Sequence, residues 1–516
     1  MRASGILLPV FSLPGKYGIG CFSKEAYHFI DCLREAGMSY WQILPLGPTG
    51  YGDSPYQSFS TFAGNPYFIS LEELVKEGLL TEAECEEADL GGDADLIDYG
   101  RQYTERNALL KKAYGRSFLK RGAPLSEGPK SAGAGDDAEW EEFSAFRAEN
   151  AFWLEDYALF MALKDARGGV DFESWEEELR DYQKDALEKA SASLRDEIGF
   201  YEFLQYEFLK QWKALRAYAR EQGIQIIGDI PVYVSHDSAD FWAHRDLFLL
   251  DERGRVRMVA GVPPDGFSAD GQVWGNPLYD WPKHKEKGYD WWLRRIGKCL
   301  ELYDVIRIDH FRGFDEYFAV PAGDTSARNG HWEQGPGLSL FEAIRGRYGD
   351  VPIIAEDLGY VTETVRKLVR DTGFPNMKVL EFAFDSRDST GAAEYLPFRY
   401  QTNCVVYTGT HDNETVLGWI DNILPEELQQ VKDYLDVRTG DPTEFVDKMI
   451  LMAHSSVADT SIIPMQDYLR LDNSARINHP STQGCNWKWR MRREDFSPAL
   501  IERIRRQMQL FGRERT

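Results

Sequence analysis

The sequence predicts an α/β protein, a (β/α)8 barrel carrying inserted, largely helical subdomains. Three observations predict it. Short apolar runs rich in β-branched residues, such as VIRI, PIIA and CVVY, recur down the chain; they are too short for helices and read as strands of a parallel sheet buried on both faces. Stretches with helical periodicity separate them. Three of the runs end in an acid, Asp309 in DVIRIDHFRGF, Glu356 in VPIIAEDLG and Asp412 in CVVYTGTHDNET, and a barrel gathers the C-terminal ends of all its strands on one face. Acids far apart in the chain can therefore surround one substrate.

Taken in order, SGILLPV reads as a strand, FSKEAYHFIDCLREAG as an amphipathic helix and MSYWQILPL as a second strand, a β-α-β opening with short links. The loop GPTGYGDSPYQSFSTFAGNPYF follows, rich in Gly, Pro and Tyr, the kind of loop on which a scaffold carries specificity. From about residue 70 to 200 the composition turns to Glu/Leu/Lys-rich helical patterns around SEGPKSAGAGDDAEWEE, an inserted helical subdomain with a surface loop. The helix FYEFLQYEFLKQWKALRAYAREQG then leads into the strand IQIIGDI. A second excursion, at about 235–300, contains GVPPDGFSADGQVWGNPLYDW. Strands follow at 304–309, 353–356, 379–384 (VLEFAF), 404–410 and 460–465, which brings the barrel to eight. The expected division is 1–66 as the first part of the barrel, 67–202 as the inserted helical subdomain and 203–516 as the remainder with its excursion.

Composition narrows the function. A barrel takes about 250 residues, so 516 residues leave room for one enlarged domain with large insertions. The 84 acidic against 59 basic side chains give a net charge of −25, a field that repels phosphate backbones and anionic lipid but not a neutral substrate. Neither nucleic acid nor membrane is an expected partner. Six scattered cysteines without a CxxC pair fit a reducing cytoplasm. GILLPVFSLPG is broken by Pro9 and Pro14 and reads as a first strand, not a secretion signal; no run approaches the roughly 20 apolar residues of a membrane helix.

Cleaving a glycosidic bond requires an acid to protonate the leaving oxygen and a second carboxylate to meet the developing oxocarbenium charge. Asp309, Glu356 and Asp412 supply three. Arg307 lies two residues before Asp309 on the same strand face, a fixed positive charge that favours ionised Asp309. Glu356 follows PIIA and precedes Asp357, so burial and a like charge both act to raise its pKa, as a general acid requires. Tyr56 in DSPY offers a stacking face for a sugar ring. The nine His contain no HExxH and there is no GxSxG elbow. Asp89, Asp93, Asp95 and Asp98 in ADLGGDADLIDYG depart from the EF-hand spacing and read as solvated loop acids. No metal or organic cofactor is expected.

VIRIDHFRGF, IIAEDLG and TGTHDNET resemble the nucleophile, acid/base and third-carboxylate motifs of the α-amylase clan, and in this wording those of the amylomaltases, the 4-α-glucanotransferases of glycoside hydrolase family 77. The resemblance extends through LPLGPTGYGDSPYQSFSTFAGNPY, GDIPVYV, GVPPDGFS, WGNPLYDW, ARINHPST and the NW that follows it, from near residue 5 to about 490. It implies that Asp309 is the nucleophile, Glu356 the general acid/base and Asp412 the transition-state stabiliser. Asp229 in GDIP, Arg307, His411 and Tyr56 would complete the donor side, with Trp274, Phe267 and Asn478 as further substrate contacts. One position departs from the resemblance: Gly266 stands before Phe267 where many members carry an aromatic in a loop over the substrate, which removes a ring face and adds backbone freedom. The implied reaction is retaining transfer of α-1,4-glucan segments among α-1,4-glucans, maltooligosaccharides and glucose, with the carboxyl groups of Asp309 and Glu356 about 5–5.5 Å apart. Two other readings stand beside it. A hydrolase of the same clan would deliver the same intermediate to water, and a noncatalytic glucan-binding barrel would be expected to have lost one of the three acids.

Overall fold

Eight short parallel strands close on one another in the computed structural model, which describes residues 2–50, 52–121, 134–264, 269–359, 361–387 and 391–515. Gly266 and Phe267 lie outside the described residues. In chain order the barrel strands are Ala3–Leu7, Tyr40–Gln42, Gln225–Ile230, Val305–Ile308, Ile353–Ala355, Asn376–Val379, Cys404–Tyr407 and Thr460–Pro464. Each pairs with the next, and the last pairs back to the first through Ala3↔Thr460 to Leu7↔Pro464.

Alternation along these strands decides what enters the barrel. Leu7, Ile227, Ile354, Met377, Val379, Val405, Tyr407 and Ile462 form an interior cluster, while their chain neighbours Ile6, Ile226, Ile306, Ile308, Val406 and Ile463 join the larger core under the surrounding helices. The interior hydroxyl of Tyr407 donates to Oε1 of Gln42 at 2.8 Å, so that hydroxyl is paired rather than stranded. Continuing the inward parity from Ile227 reaches Asp229; from Val305 it reaches Arg307 and then Asp309; from Ile354 it reaches Glu356. The same period that fills the barrel with hydrocarbon carries these charges to its mouth.

The sixth strand is displaced from its expected position at 379–384. It runs Asn376–Val379, and Leu380–Phe384 coils into a 3-10 turn. VLEFAF has the apolar content of a strand, but the ladder to Cys404–Tyr407 is set by Asn376↔Cys404, which puts Met377 and Val379 inside. Asp357 reinforces that register by accepting from Met377 N and Asn376 Nδ2 at 3.1 and 3.2 Å.

Between the second and third strands lie helices including Leu71–Lys76, Asn107–Arg116, Ala134–Ala166 and Lys184–Ser193, followed by Arg195–Glu221. The last of these runs through residue 202 without a break. Its Gln205 side chain bonds the Gly64 backbone at 2.7 and 2.9 Å, and its Trp212 donates to Leu302 O at 3.0 Å. The excursion before the fourth strand supplies two strands, Met258–Val262 and Gln272–Pro277, to an antiparallel sheet completed by Glu316–Pro321 and His331–Gln334. Sequence reading did not separate this second sheet from the loops around it. Its strands are short, the two outer ones are largely unburied, and the sequence between the first two is Gly- and Asp-rich.

Candidate active site

Arg307 is the hub. Its guanidinium is buried and bonds Asp229 Oδ2 at 2.6 Å, Asp309 Oδ1 at 3.0 Å and Met377 Sδ at 3.3 Å. Burial acts against the charge, but the two carboxylates outweigh it and hold Arg307 well above its ordinary pKa. Asp229 also accepts from the Tyr56 hydroxyl at 2.8 Å. Tyr56 in turn stacks on His411, centroids 5.2 Å apart and planes within 14°, and Trp487 packs against both rings.

Asp309 follows the fourth strand, and its side chain keeps 28% exposure to the cleft. Desolvation is the largest influence on its carboxyl and, with the like charges of Asp229 and Asp412, overcomes Arg307 to push the pKa up to about 6. The ion pair alone had suggested a depressed value; the depth of the cleft reverses the sign while leaving Asp309 mainly ionised at neutral pH.

Glu356 follows the fifth strand. Its oxygens accept from His310 N and Leu358 N, each at 2.7 Å, bonds that favour the charged form. Burial and then the charge of Asp309 dominate them, and the carboxyl rises to about 8. The like charge acting on Glu356 is Asp309, not the adjacent Asp357, whose oxygens turn away to the sixth strand.

Asp412 lies in the loop after the seventh strand. Burial works against its charge, but His411 Nε2 at 3.2 Å and Asn478 Nδ2 at 2.6 Å outweigh that and hold it well below the usual carboxylate range. His411 is correspondingly raised by Asp412 in spite of its own burial. Arg476 donates to the Asp412 backbone oxygen at 2.8 Å.

Trp274, on the antiparallel sheet, meets the His310 ring edge-on at 4.9 Å and donates from Nε1 to Gln272 Oε1 at 3.0 Å. The structure therefore brings together Tyr56, Asp229, Arg307, Asp309, Glu356, His411, Asp412 and Asn478 through direct contacts or mutual charge, with Trp274 reaching them through His310. Sequence reading missed His310, Met377, Arg476 and Trp487. His310 was within reach, since it follows Asp309 directly and takes a left-handed backbone, φ 52°, that turns the chain from strand to loop. Met377 carries no local signal, whereas Trp487 is the Trp of the NW that follows ARINHPST. The acids Asp89 and Asp95, elsewhere, form surface ion pairs with Arg101 and Arg492.

This cleft offers two carboxyl groups of unequal acidity beside a third that stays ionised, the equipment of glycosidic chemistry. Comparison with known proteins agrees. The glycoside hydrolase family 77 profile, described as 4-alpha-glucanotransferase, matches residues 8–495. The 4-alpha-glucanotransferase of Clostridium butyricum is 45% identical, covering 98% of this chain and 99% of that one. The Thermus thermophilus 4-alpha-glucanotransferase is also 45% identical, over 98% and 97%. Among solved structures, the amylomaltase of Streptococcus agalactiae in complex with acarbose superposes with a TM-score of 0.92 at 39% identity, each chain covered in full. The chain belongs to the 4-alpha-glucanotransferases of glycoside hydrolase family 77.

Proposed function

We propose that this 4-α-glucanotransferase works by double displacement with Asp309 as nucleophile and Glu356 as the acid/base. The observation that carries the assignment is the split in environment: Arg307 lies 3.0 Å from Asp309 and favours its charged form against burial, while Glu356 is buried beside the Asp309 charge and is pushed up further. At neutral pH the first is a carboxylate and the second holds a proton, which is the division of labour the reaction requires. An Asp309 oxygen attacks the anomeric carbon of an α-1,4-glucan as the bond to the departing 4-oxygen breaks and takes the Glu356 proton. Glu356, now a carboxylate, removes the proton from the 4-hydroxyl of an acceptor glucan or glucose, whose oxygen attacks the same carbon and expels Asp309. Two inversions retain the configuration.

Asp412, kept ionised by His411 and Asn478, grips sugar hydroxyls and faces the developing positive charge. Tyr56 and Trp274 present ring faces, and Asp229 fixes Arg307. Phe267 is assigned an apolar contact to glucan from the motif alone. Substrates are α-1,4-glucans, maltooligosaccharides and glucose. With a charge of −25, nucleic acid is not a partner. No described helix is long and apolar enough to cross a membrane, and we assign the enzyme to the cytoplasm on its scattered thiols. Residues 67–202 are treated as an inserted helical subdomain between 1–66 and 203–516.

Product analysis from maltotriose, with glucose release followed in parallel, tests the reading. Transfer yields glucose and longer chains, whereas a hydrolase yields only shorter ones. Asp309→Asn should abolish both, because a carboxamide fills the same space but cannot form the ester, and a fluoro-sugar donor should label Asp309. A label on another carboxylate would overturn the assignment.

A further inference from the structure

Asp412 differs from the other two carboxylates in what holds its main chain. Asp309 N donates to Ile230 O at 2.9 Å and Glu356 N to Ile308 O at 3.1 Å, so each is fastened to the neighbouring barrel strand by the ladder it follows. Asp412 stands five residues beyond Tyr407, where the seventh strand ends. Its N–H reaches Thr410 Oγ1 at 3.3 Å, a bond inside the loop that shapes the turn without tying it to another part of the barrel. The placement of this carboxylate must come from a different segment.

Arg476 supplies that tie. Its Nη2 donates to Asp412 O and its Nε to Asn478 O, each at 2.8 Å. These two nitrogens lie on one edge of a planar guanidinium, so two carbonyls 66 residues apart in the chain are gripped side by side. The same two residues then meet directly: Asn478 Nδ2 donates to Asp412 Oδ1 at 2.6 Å, and Asn478 N donates to His411 O at 3.1 Å. Asp412 and Asn478 are thus joined through their side chains and share one cation through their main chains. A change in the spacing of the two carbonyls would be carried straight into the 2.6 Å bond.

An ion pair is the ordinary explanation for an arginine beside a glutamate, and Glu414 Oε1 lies 3.9 Å from Nη1. That contact is beyond hydrogen-bond range, and the same oxygen already accepts from Asn422 Nδ2 and Asn473 Nδ2, both at 2.6 Å. A lysine would serve an ion pair at this distance equally well. As a point charge on a flexible stem, however, an ammonium does not fix the spacing of two carbonyls as a rigid fork does. The two short bonds to the main chain therefore identify the work of this guanidinium, and Glu414 faces its remaining nitrogen.

We infer that Arg476 is a positioning residue for the transfer reaction, clamping the Asp412 and Asn478 main chains at the spacing that aims the Asp412 carboxylate into the cleft. It acts through these two residues. The inference rests on the role proposed for Asp412, and because that role is to stabilise the transition state, the contribution of Arg476 belongs chiefly to kcat rather than to KM.

The test compares full-length wild type, Arg476→Lys, Arg476→Gln, Asn478→Ala, Arg476→Lys/Asn478→Ala and Asp412→Asn on maltotriose, with thermal unfolding recorded for each. Arg476→Lys keeps the charge and loses the fork; Arg476→Gln loses both. The expected result is that each lowers kcat by about 10- to 100-fold, the scale of a misplacement of about 1 Å, with KM changed by less than about 3-fold. Lysine should be no better than glutamine. The double variant should be slower than Asn478→Ala alone by no more than about 2-fold, the sign that both substitutions break one unit. If one Arg476 variant fails to fold, the other, combined with Asn478→Ala, gives the same decision. A lysine variant with wild-type kcat, a loss confined to KM, or effects that multiply in the double variant would each overturn the inference and leave Arg476 as a charge paired with Glu414. Asp412→Asn keeps the two readings apart: full kcat there means that the role proposed for Asp412 fails, whereas an inactive Asp412→Asn beside a fully active Arg476→Lys means that the clamp alone fails.

Discussion

At the scale of single residues, the roles proposed for Asp309 and Glu356 rest on environment rather than on residue type. Both carboxyls are raised, to about 6 and about 8, by burial first, and Asp309 itself is the next cause for Glu356. The sign of the pH dependence follows. Below about 6 the nucleophile gains a proton and the rate falls; above about 8 the acid loses its proton and the rate falls again. The kcat/KM on maltotriose should be bell-shaped, with apparent limbs near those values belonging to the pair as a coupled system. A profile flat from pH 5 to about 9 would contradict the assignment. Asn478 acts one step away: its 2.6 Å bond to Asp412 is a hydrogen bond to a charge, worth about 1.5–3 kcal/mol. Asn478→Ala should therefore lower kcat/KM by about 10-fold or more while thermal unfolding changes little. The three acids were legible because each closes an apolar run, and the roles proposed for them came from the resemblance. Met377 under Arg307 was not, since nothing local marks a residue that matters through a contact made across the barrel, and Trp487 beside Tyr56 was marked only by the NW after ARINHPST.

At the scale of elements, strand parity explains both what sequence reading found and where it slipped. Apolar runs located seven of the eight barrel strands, but apolar content alone did not place the sixth. The sixth strand was expected at VLEFAF because that segment is the most apolar; the ladder to Cys404–Tyr407 and the carboxylate of Asp357 place it at Asn376–Val379. The third strand exposes the reverse constraint. Ile227 and Asp229 point inward, so Gly228 faces out, where an added Cβ would lie 2.1 Å from the Tyr303 ring. The tight approach lets helix and strand close on each other behind Asp229. Gly228→Ala should force that ring or the strand to move, a cost of about 1–3 kcal/mol, read as a lower urea midpoint. Because Asp229 would shift with the strand, activity should fall further than the lost stability accounts for. An alanine variant with the wild-type midpoint would show that Tyr303 yields freely.

At the scale of the whole molecule, the question is whether the helices between the second and third strands stand apart from the barrel. Composition marked a change of character at about residues 70–200, but composition does not report what packs on what. Helix Arg195–Glu221 begins among the inserted helices and ends at the third barrel strand. Along it, Tyr206 packs on Phe143 and Phe146 of the insertion, Phe208 and Trp212 on Phe22 at 5.2 and 5.1 Å, and Arg216 on Asp304 at 2.9 Å. One continuous core includes side chains from both regions. The helix cannot unfold over its first half without exposing Phe200, Phe203 and Tyr206, all of them buried and each worth about 1.5–3 kcal/mol of buried surface. The insertion and barrel should accordingly unfold together: in urea, far-UV circular dichroism and tryptophan fluorescence should trace one coincident transition although the chain is long enough for several. Two separated transitions, the first leaving the barrel tryptophans buried, would show that the shared helix frays at low cost and that the two regions are thermodynamically distinct.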